Sequence, residues 1–327
     1  MSVPNWEIRP VNYQLKTNWA ISRNSSTEKI NYQVWIDNKL YSEFAPNIRF
    51  GETHEKIKKE IDILKSISHK FITLKLCLEW CDDSINQNQW SKSFIAGIEM
   101  AALDYFDGYD FYLPGLEKIC VTSMSTPIME LDEFKDFYQK FNCAQFKNIK
   151  LKSAKKVPLE IIEYLNTVGK HYISIDFNEA LNSIEDFDQS VQQLKKYNNI
   201  KFLEQPFPAS DFLLYKEARK NSLLPIIIDE TVTSELPNEN MREICHGINF
   251  KVMKAGGVRR VYQQILMAKK FGFITMVGCM IESTLSISNY IGLGQMTDYA
   301  DLDGHFFIKD DPFQKIVCSN GELQICE

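Results

Sequence analysis

Residues 172–229 read YISIDFNEALNSIEDFDQSVQQLKKYNNIKFLEQPFPASDFLLYKEARKNSLLPIIID. Three apolar runs in this stretch each close on an acid: Tyr172-Ile-Ser-Ile-Asp176, Lys201-Phe-Leu-Glu204 and Pro225-Ile-Ile-Ile-Asp229. Short apolar runs without polar alternation fit strands covered on both faces, as in a parallel sheet. The segments between them, Ile184–Lys196 and Ala209–Lys220, have the length and apolar spacing of amphipathic helices. The acids stand 28 and 25 residues apart, one strand and one helix each.

The same rhythm continues on both sides. Further runs are Lys118–Ser125, Lys147–Lys152, Ile248–Lys251, Ile274–Gly278 and the stretch around Asp301, with helix-length segments Leu131–Phe141, Pro158–Val168 and Val258–Phe271 among them. Eight strands with helical crossovers predict an α/β fold, a (β/α)8-type barrel over residues 116–309. Residues 1–115 break the pattern. Glu7–Lys16 and Lys29–Asp37 alternate like antiparallel strands around the turn Arg23-Asn24-Ser25-Ser26, and Thr53–Ser68 and Ile85–Phe106 look helical. An N-terminal α+β capping module is expected, completed by the tail at about 310–327.

Composition narrows the function. The net charge is −6 and no basic block is interleaved with aromatics, so nucleic acid is excluded as a partner. No basic leader precedes an apolar stretch, and no run approaches the ~18 apolar residues a membrane span needs. A cytoplasmic protein without a membrane partner is expected, and a homo-oligomer is left open. The 8 cysteines are scattered without metal-ligand spacing and read as reduced thiols filling the core.

In such a barrel the carboxyl ends of the strands form the mouth. Asp176, Glu204 and Asp229, each ending one of three successive strands, therefore converge there. One acid at a strand end often only caps the next helix. Three in consecutive units offer hard oxygen ligands with no His or Cys beside them, which suits Mg2+. Lys150 and Lys152 alternate on one side of the second strand, and Lys251 ends the sixth. Buried ammonium groups are costly without partners, and a nearby cation lowers their pKa toward that of a working base. Bases from the second and sixth strands would flank a metal-held carboxylate on opposite faces. Mg2+ and Lys150 would stabilise the enediolate left when the α-proton departs. Removal on one face and return on the other is racemisation or epimerisation.

These residues resemble the enolase superfamily in its muconate-lactonising branch. The resemblance rests on Lys150-Leu-Lys152, Asp176-Phe-Asn178, Glu204-Gln-Pro206, Asp229-Glu230 and Lys251-Val-Met-Lys-Ala-Gly-Gly257, in order, and on Ile98-Glu-Met-Ala-Ala-Leu-Asp104, which looks like the helix joining cap to barrel. Within that superfamily the chain is similar to dipeptide epimerases, including L-Ala-D/L-Glu epimerase, because Asp301-Leu-Asp303-Gly304 stands at the eighth strand. The resemblance implies several roles. Lys152 and Lys251 would be the two bases, and Asp176, Glu204 and Asp229 the Mg2+ ligands. Asp301 and Asp303 would bind the α-ammonium group of a dipeptide, Cys279, Met280 and Ile281 would line its site, and Arg23 would meet the distal carboxylate of glutamate. Ser125 stands where the family often has threonine and keeps a hydroxyl for the substrate. Murein-peptide metabolism is the setting implied. An o-succinylbenzoate synthase or a cycloisomerase would share the lysines and acids but has no need of Asp301 and Asp303. A non-catalytic carboxylate-binding barrel would lack a base or a ligand, and none is missing.

Overall fold

A computed structural model describes residues 3–22 and 25–326. Arg23, expected to meet a distal substrate carboxylate, lies outside the described residues. The chain begins with an antiparallel sheet of β1 (Trp6–Ala20), β2 (Ser25–Ile36) and β3 (Lys39–Phe44). The strand β3 was not expected, because Lys39-Leu-Tyr-Ser-Glu-Phe44 is short and carries two charges. A turn with Asp37 and Asn38 at φ 50° and 63° folds it back on β2. Beyond a register shift after Gln14, β1 runs on along the barrel rim. There Gln14 accepts the Lys309 N–H at 2.8 Å and Ala20 accepts the Ile128 N–H at 3.0 Å.

Three helices complete this module: α1 (His54–Ile67), α2 (Leu74–Gln87) and α3 (Lys92–Tyr105). Thr53 caps α1, its hydroxyl accepting the Lys56 N–H at 3.2 Å, and Ile57, Ile61 and Leu64 form its buried stripe. The single helix expected over Ile85–Phe106 is instead the end of α2, a break and α3. Asn88 takes a left-handed conformation at φ 53°, which asparagine tolerates well, and Ser91 gives its N–H to the buried Glu60 carboxylate at 2.7 Å. The helix α3 is buried along nearly all its length between cap and barrel.

Of the run Lys118–Ser125, only the end enters the barrel. Ile119–Val121 is β4, and the barrel starts at β5 (Ser123–Thr126). It continues through β6 (Asn148–Lys152), β7 (Tyr172–Asp176), β8 (Ile200–Glu204), β9 (Ile226–Ile228), β10 (Gly247–Lys251), β11 (Ile274–Gly278) and β12 (Tyr299–Asp301). These eight strands form one sheet in sequential order with parallel pairing, and β12 returns beside β5. The (β/α)8-type barrel expected from the sequence is present, although β9 and β12 are followed by 3-10 turns in place of long helices.

The tail, expected to return to the capping module, forms a hairpin of β13 (Ile316–Ser319) and β14 (Glu322–Ile325) that pairs with β4. Leu323, fully buried, sits opposite Cys120 there, so the apolar partner lies at the start of the barrel half.

Strand alternation explains where the chemistry sits. Ile149, Leu151, Ile173, Ile175, Leu203 and Ile226 belong to the main core. A separate apolar plug of Phe202, Ile227 and Met276 fills the barrel interior. The next inward residues toward the carboxyl ends are polar, namely Lys152, Asp176, Glu204, Asp229 and Lys251. These polar groups lie at the carboxyl ends of the strands, above the plug.

Candidate active site

Lys150 and Lys152 share the inner face of β6, as their alternation requires. Lys150 is almost fully buried, and its ammonium bonds Oδ2 of Asp301, with Glu204 Oε2 at 3.4 Å and Asp176 Oδ2 at 3.9 Å. An isolated buried ammonium would cost several kcal/mol, so three carboxylates around it are what make the position tenable. Burial works against its charge, yet Asp301, Glu204 and Asp176 together hold its pKa well above the ordinary lysine value. Lys150 thus sets an ammonium group among three carboxylates at the floor of the site.

Lys152 reaches Asp176 Oδ2 at 2.8 Å and Asn178 Oδ1 at 2.9 Å. The Trp19 ring of β1 stands 6.0 Å away, so the cap roofs this lysine. Lys251 lies four strands from Lys152, across the eight-stranded barrel, and meets Asp229 Oδ2 at 2.8 Å. After burial, which opposes it, the Asp229 charge holds the Lys251 pKa above its usual value. The lowered value expected for a base depends on a cation competing for that same carboxylate. Lys254 is a different case, because Asp229 Oδ1 at 2.7 Å, the Asp229 carbonyl at 2.5 Å and the Asn249 carbonyl at 2.8 Å take all three of its protons. It ties the ends of β9 and β10 together.

The three acids differ in electrostatics. Burial raises the Asp176 carboxyl, but Lys152 and Lys150 bring it below the carboxylate range. Asp229 is likewise driven far down by Lys251 and Lys254. Glu204 is pushed up to about 7, first by burial and then by the charges of Asp176 and Asp229, against the pull of Lys150. Its Oε1 accepts from Asn249 at 2.7 Å, while the buried Oε2 has no hydrogen-bond partner. As they stand, no three acidic, His or Cys side chains among the described residues are gathered tightly enough to grip an ion. Each carboxylate is instead drawn toward lysines. The donor chemistry nevertheless fits a hard divalent cation: three carboxylates from adjoining strands, one of them with a buried oxygen that has no hydrogen-bond partner.

On the opposite wall, Asp301 Oδ1 accepts the hydroxyls of Ser123 at 2.8 Å and Ser125 at 2.7 Å, and Asp303 Oδ2 accepts the Ser125 N–H. Ser125 is thus brought to the acidic pair. Burial and the Asp301 charge raise Asp303 to about 7, whereas burial of Asp301 is overcome by Lys150. The Cys279 N–H bonds the Asp301 carbonyl at 3.1 Å, which carries Cys279, Met280 and Ile281 to the same rim.

Several contributors escaped the sequence reading. Asn178 and Lys254 lie inside motifs noted for their charged ends, but spacing gives no sign that one would touch Lys152 and the other Asp229. Asn249 precedes Lys251 by two positions and so faces inward with it, a signal that alternation supplied. Trp19 comes from a different module, and only its proximity to the hairpin tip hinted at the mouth.

A sequence model of the enolase C-terminal domain-like family matches residues 133–326. The chain is 26% identical to an L-Ala-D/L-amino acid epimerase of Flavobacterium johnsoniae, across 96% of this chain and 94% of that one. It is 28% identical to another from a Maribacter species, across 93% and 91%. The fold matches the dipeptide epimerase of Methylococcus capsulatus complexed with Mg and the dipeptide L-Arg-D-Lys, at a TM-score of 0.85 and 22% identity over 100% and 98% of the two chains. It also matches an enolase family member of Agrobacterium tumefaciens with bound sodium and L-Ala-L-Glu, at 0.85 and 19% over 99% and 98%.

Proposed function

The chain belongs to the enolase C-terminal domain-like family, and on that premise we propose that it is a magnesium-dependent dipeptide epimerase. The reaction is a two-base 1,1-proton transfer at the α-carbon of the C-terminal residue, with L-Ala-D/L-Glu or a related L-Ala-Xaa as substrate. One observation carries the reading: Lys152 and Lys251 end strands that stand four apart in the eight-stranded barrel, each 2.8 Å from an outer member of the carboxylate set. The epimerases among its relatives support the substrate class.

In this reading Asp176, Glu204 and Asp229 hold Mg2+, which supplies a Lewis acid for the substrate carboxylate. Lys150 adds a fixed positive charge to the same region, favouring the dianionic enediolate over the monoanionic ground state. Lys152 takes or returns the proton on one face and Lys251 on the other. The Asp301–Asp303 pair receives the α-ammonium group, which favours dipeptides over the substrates of an o-succinylbenzoate synthase or cycloisomerase. Trp19 over Lys152 shields that face from water.

The test is proton NMR of L-Ala-L-Xaa mixtures in D2O with Mg2+. Deuterium should enter one α-carbon, at the C-terminal residue, with the D-epimer appearing alongside. Dipeptides left unexchanged while an N-succinyl or lactone substrate turns over would overturn the reading.

A further inference from the structure

The rim segment Cys279–Ser283 has no helix or strand of its own until Thr284, yet its backbone is held at several points by side chains and by the neighbouring strand. The Met280 N–H donates to Glu282 Oε1 at 2.8 Å. The other oxygen of Glu282 accepts the hydroxyls of Ser286 at 2.5 Å and Tyr290 at 2.9 Å. Neither the Ile281 carbonyl nor the Ser283 N–H is left to the barrel. The first accepts Asn31 Nδ2 at 3.1 Å, and the second donates to Glu43 Oε1 at 3.0 Å, both partners coming from the capping sheet. Glu43 is itself anchored by Tyr13 at 2.5 Å and Asn31 at 2.9 Å.

Two fully buried carboxylates, with no cation among the described residues bonded to either, are expensive, and apolar packing of equal volume would cost less. What they supply is directional: a carboxylate accepting two or three short hydrogen bonds fixes the atoms donating to it. The atom fixed by Glu282 is the N–H of Met280, in the middle of the segment that faces Asp303. Gly304 shows how close that approach is, since a Cβ there would overlap the Met280 carbonyl oxygen. The Gly304 N–H also points at Cys279 Sγ at 3.3 Å. The seventh-strand rim and the acidic pair of the eighth are therefore pressed together with no slack, and the Glu282 carboxylate lies behind the contact.

We propose that Glu282 is a positioning residue for substrate: by holding the Met280 N–H it sets the Cys279–Ile281 wall against the Asp301–Asp303 pair, and thereby fixes the space left for the dipeptide. Glu43 extends the hold to the capping sheet, so the wall and the cap move as one piece. The inference rests on the dipeptide reading above. It assigns Glu282 no contact with the reacting atoms, so binding should suffer while the chemical step does not.

The experiment compares wild type, Glu282→Ala and Glu282→Gln, with kcat and KM taken from the NMR exchange assay on the best L-Ala-L-Xaa substrate. Thermal unfolding and Mg2+ titration are run in parallel. Glu282→Ala should raise KM roughly tenfold or more, hold kcat within about threefold and leave the Mg2+ affinity unchanged. Glu282→Gln keeps an oxygen for the Met280 N–H and should recover most of the loss. Unchanged KM in Glu282→Ala, a loss confined to kcat, or Glu282→Gln as impaired as alanine would each overturn the proposal. If Glu282→Ala does not fold, the double variant Ser286→Ala/Tyr290→Phe removes both hydroxyls from the other oxygen. Its KM should rise by a smaller factor, and an unchanged KM there overturns the proposal as well. Wild type that neither binds nor exchanges any dipeptide would reject the function itself, and this role with it, before any variant is compared.

Discussion

Oε1 of Glu204 accepts the side-chain amide of Asn249 at 2.7 Å, whereas its buried Oε2 has only the Lys150 ammonium, 3.4 Å away and outside hydrogen-bonding geometry. A buried carboxylate oxygen without a donor is destabilising unless a cation completes it. Mg2+ should therefore raise the unfolding temperature. A ligand at 100 times its Kd adds about 2.7 kcal/mol, enough to see in a thermal scan. Chelator should reverse the rise and abolish exchange, and Glu204→Gln should lose most of it. An unfolding temperature indifferent to Mg2+ in the wild type would rule out this ligand set.

Barrel strands announce their ends, because an inward run of apolar residues must stop where solvent and substrate begin, and Asp176, Glu204 and Asp229 are the stops. Alternation put Lys150 and Lys152 on one side of their strand. What alternation cannot reveal is which group an inward side chain meets. Lys254 and Lys251 stand in one short motif, but Lys254 is spent on two backbone carbonyls and Asp229, and only Lys251 retains freedom. Long-range pairing was equally hidden: the tail strands β13 and β14 found β4, and Asn88 broke one expected helix into two, on tertiary grounds that local periodicity does not carry.

A pH effect follows from His305, buried with Nδ1 lacking a hydrogen-bond partner. Burial lowers its pKa to about 4 from the usual 6.5, against the opposing pull of Asp311 and a backbone hydrogen bond with Leu302. Between those values the unfolded chain binds the extra proton and the folded chain does not, so stability from this group falls as pH drops from 6.5 toward 4. The loss is on the order of 3 kcal/mol at most. Urea unfolding at pH 7 and pH 4.5 should show a smaller pH dependence in His305→Gln than in wild type. Identical pH dependences in the two would remove His305 from the account.

Arg23, outside the described residues, carries a prediction from sequence. Arg23→Met should impair dipeptides ending in Glu or Asp while sparing apolar ones. Losing a charge-assisted pair costs about 1.5–3 kcal/mol, or roughly ten- to a hundredfold in kcat/KM. An equal loss across a panel of L-Ala-L-Xaa substrates would refute the assignment.

The two lysines give the sharpest test, because the barrel places them on opposite sides and neither has an evident substitute. Lys254 is the nearest ammonium to Lys251 on the chain, but all its protons are committed, so it should not rescue Lys251→Ala. Lys150, near Lys152 on β6, is almost fully buried and gives its ammonium to Asp301, so it should not take over from Lys152. Either Lys152→Ala or Lys251→Ala should therefore abolish epimerisation, a reaction that needs both faces. Each variant keeps one base, and that base still meets the α-proton of one epimer. In D2O the surviving lysine should exchange that proton slowly without inverting the centre. The epimer that exchanges should switch between the two variants, with both still unfolding cooperatively. Substantial epimerisation after either replacement, or exchange of the same epimer by both, would end the two-base mechanism.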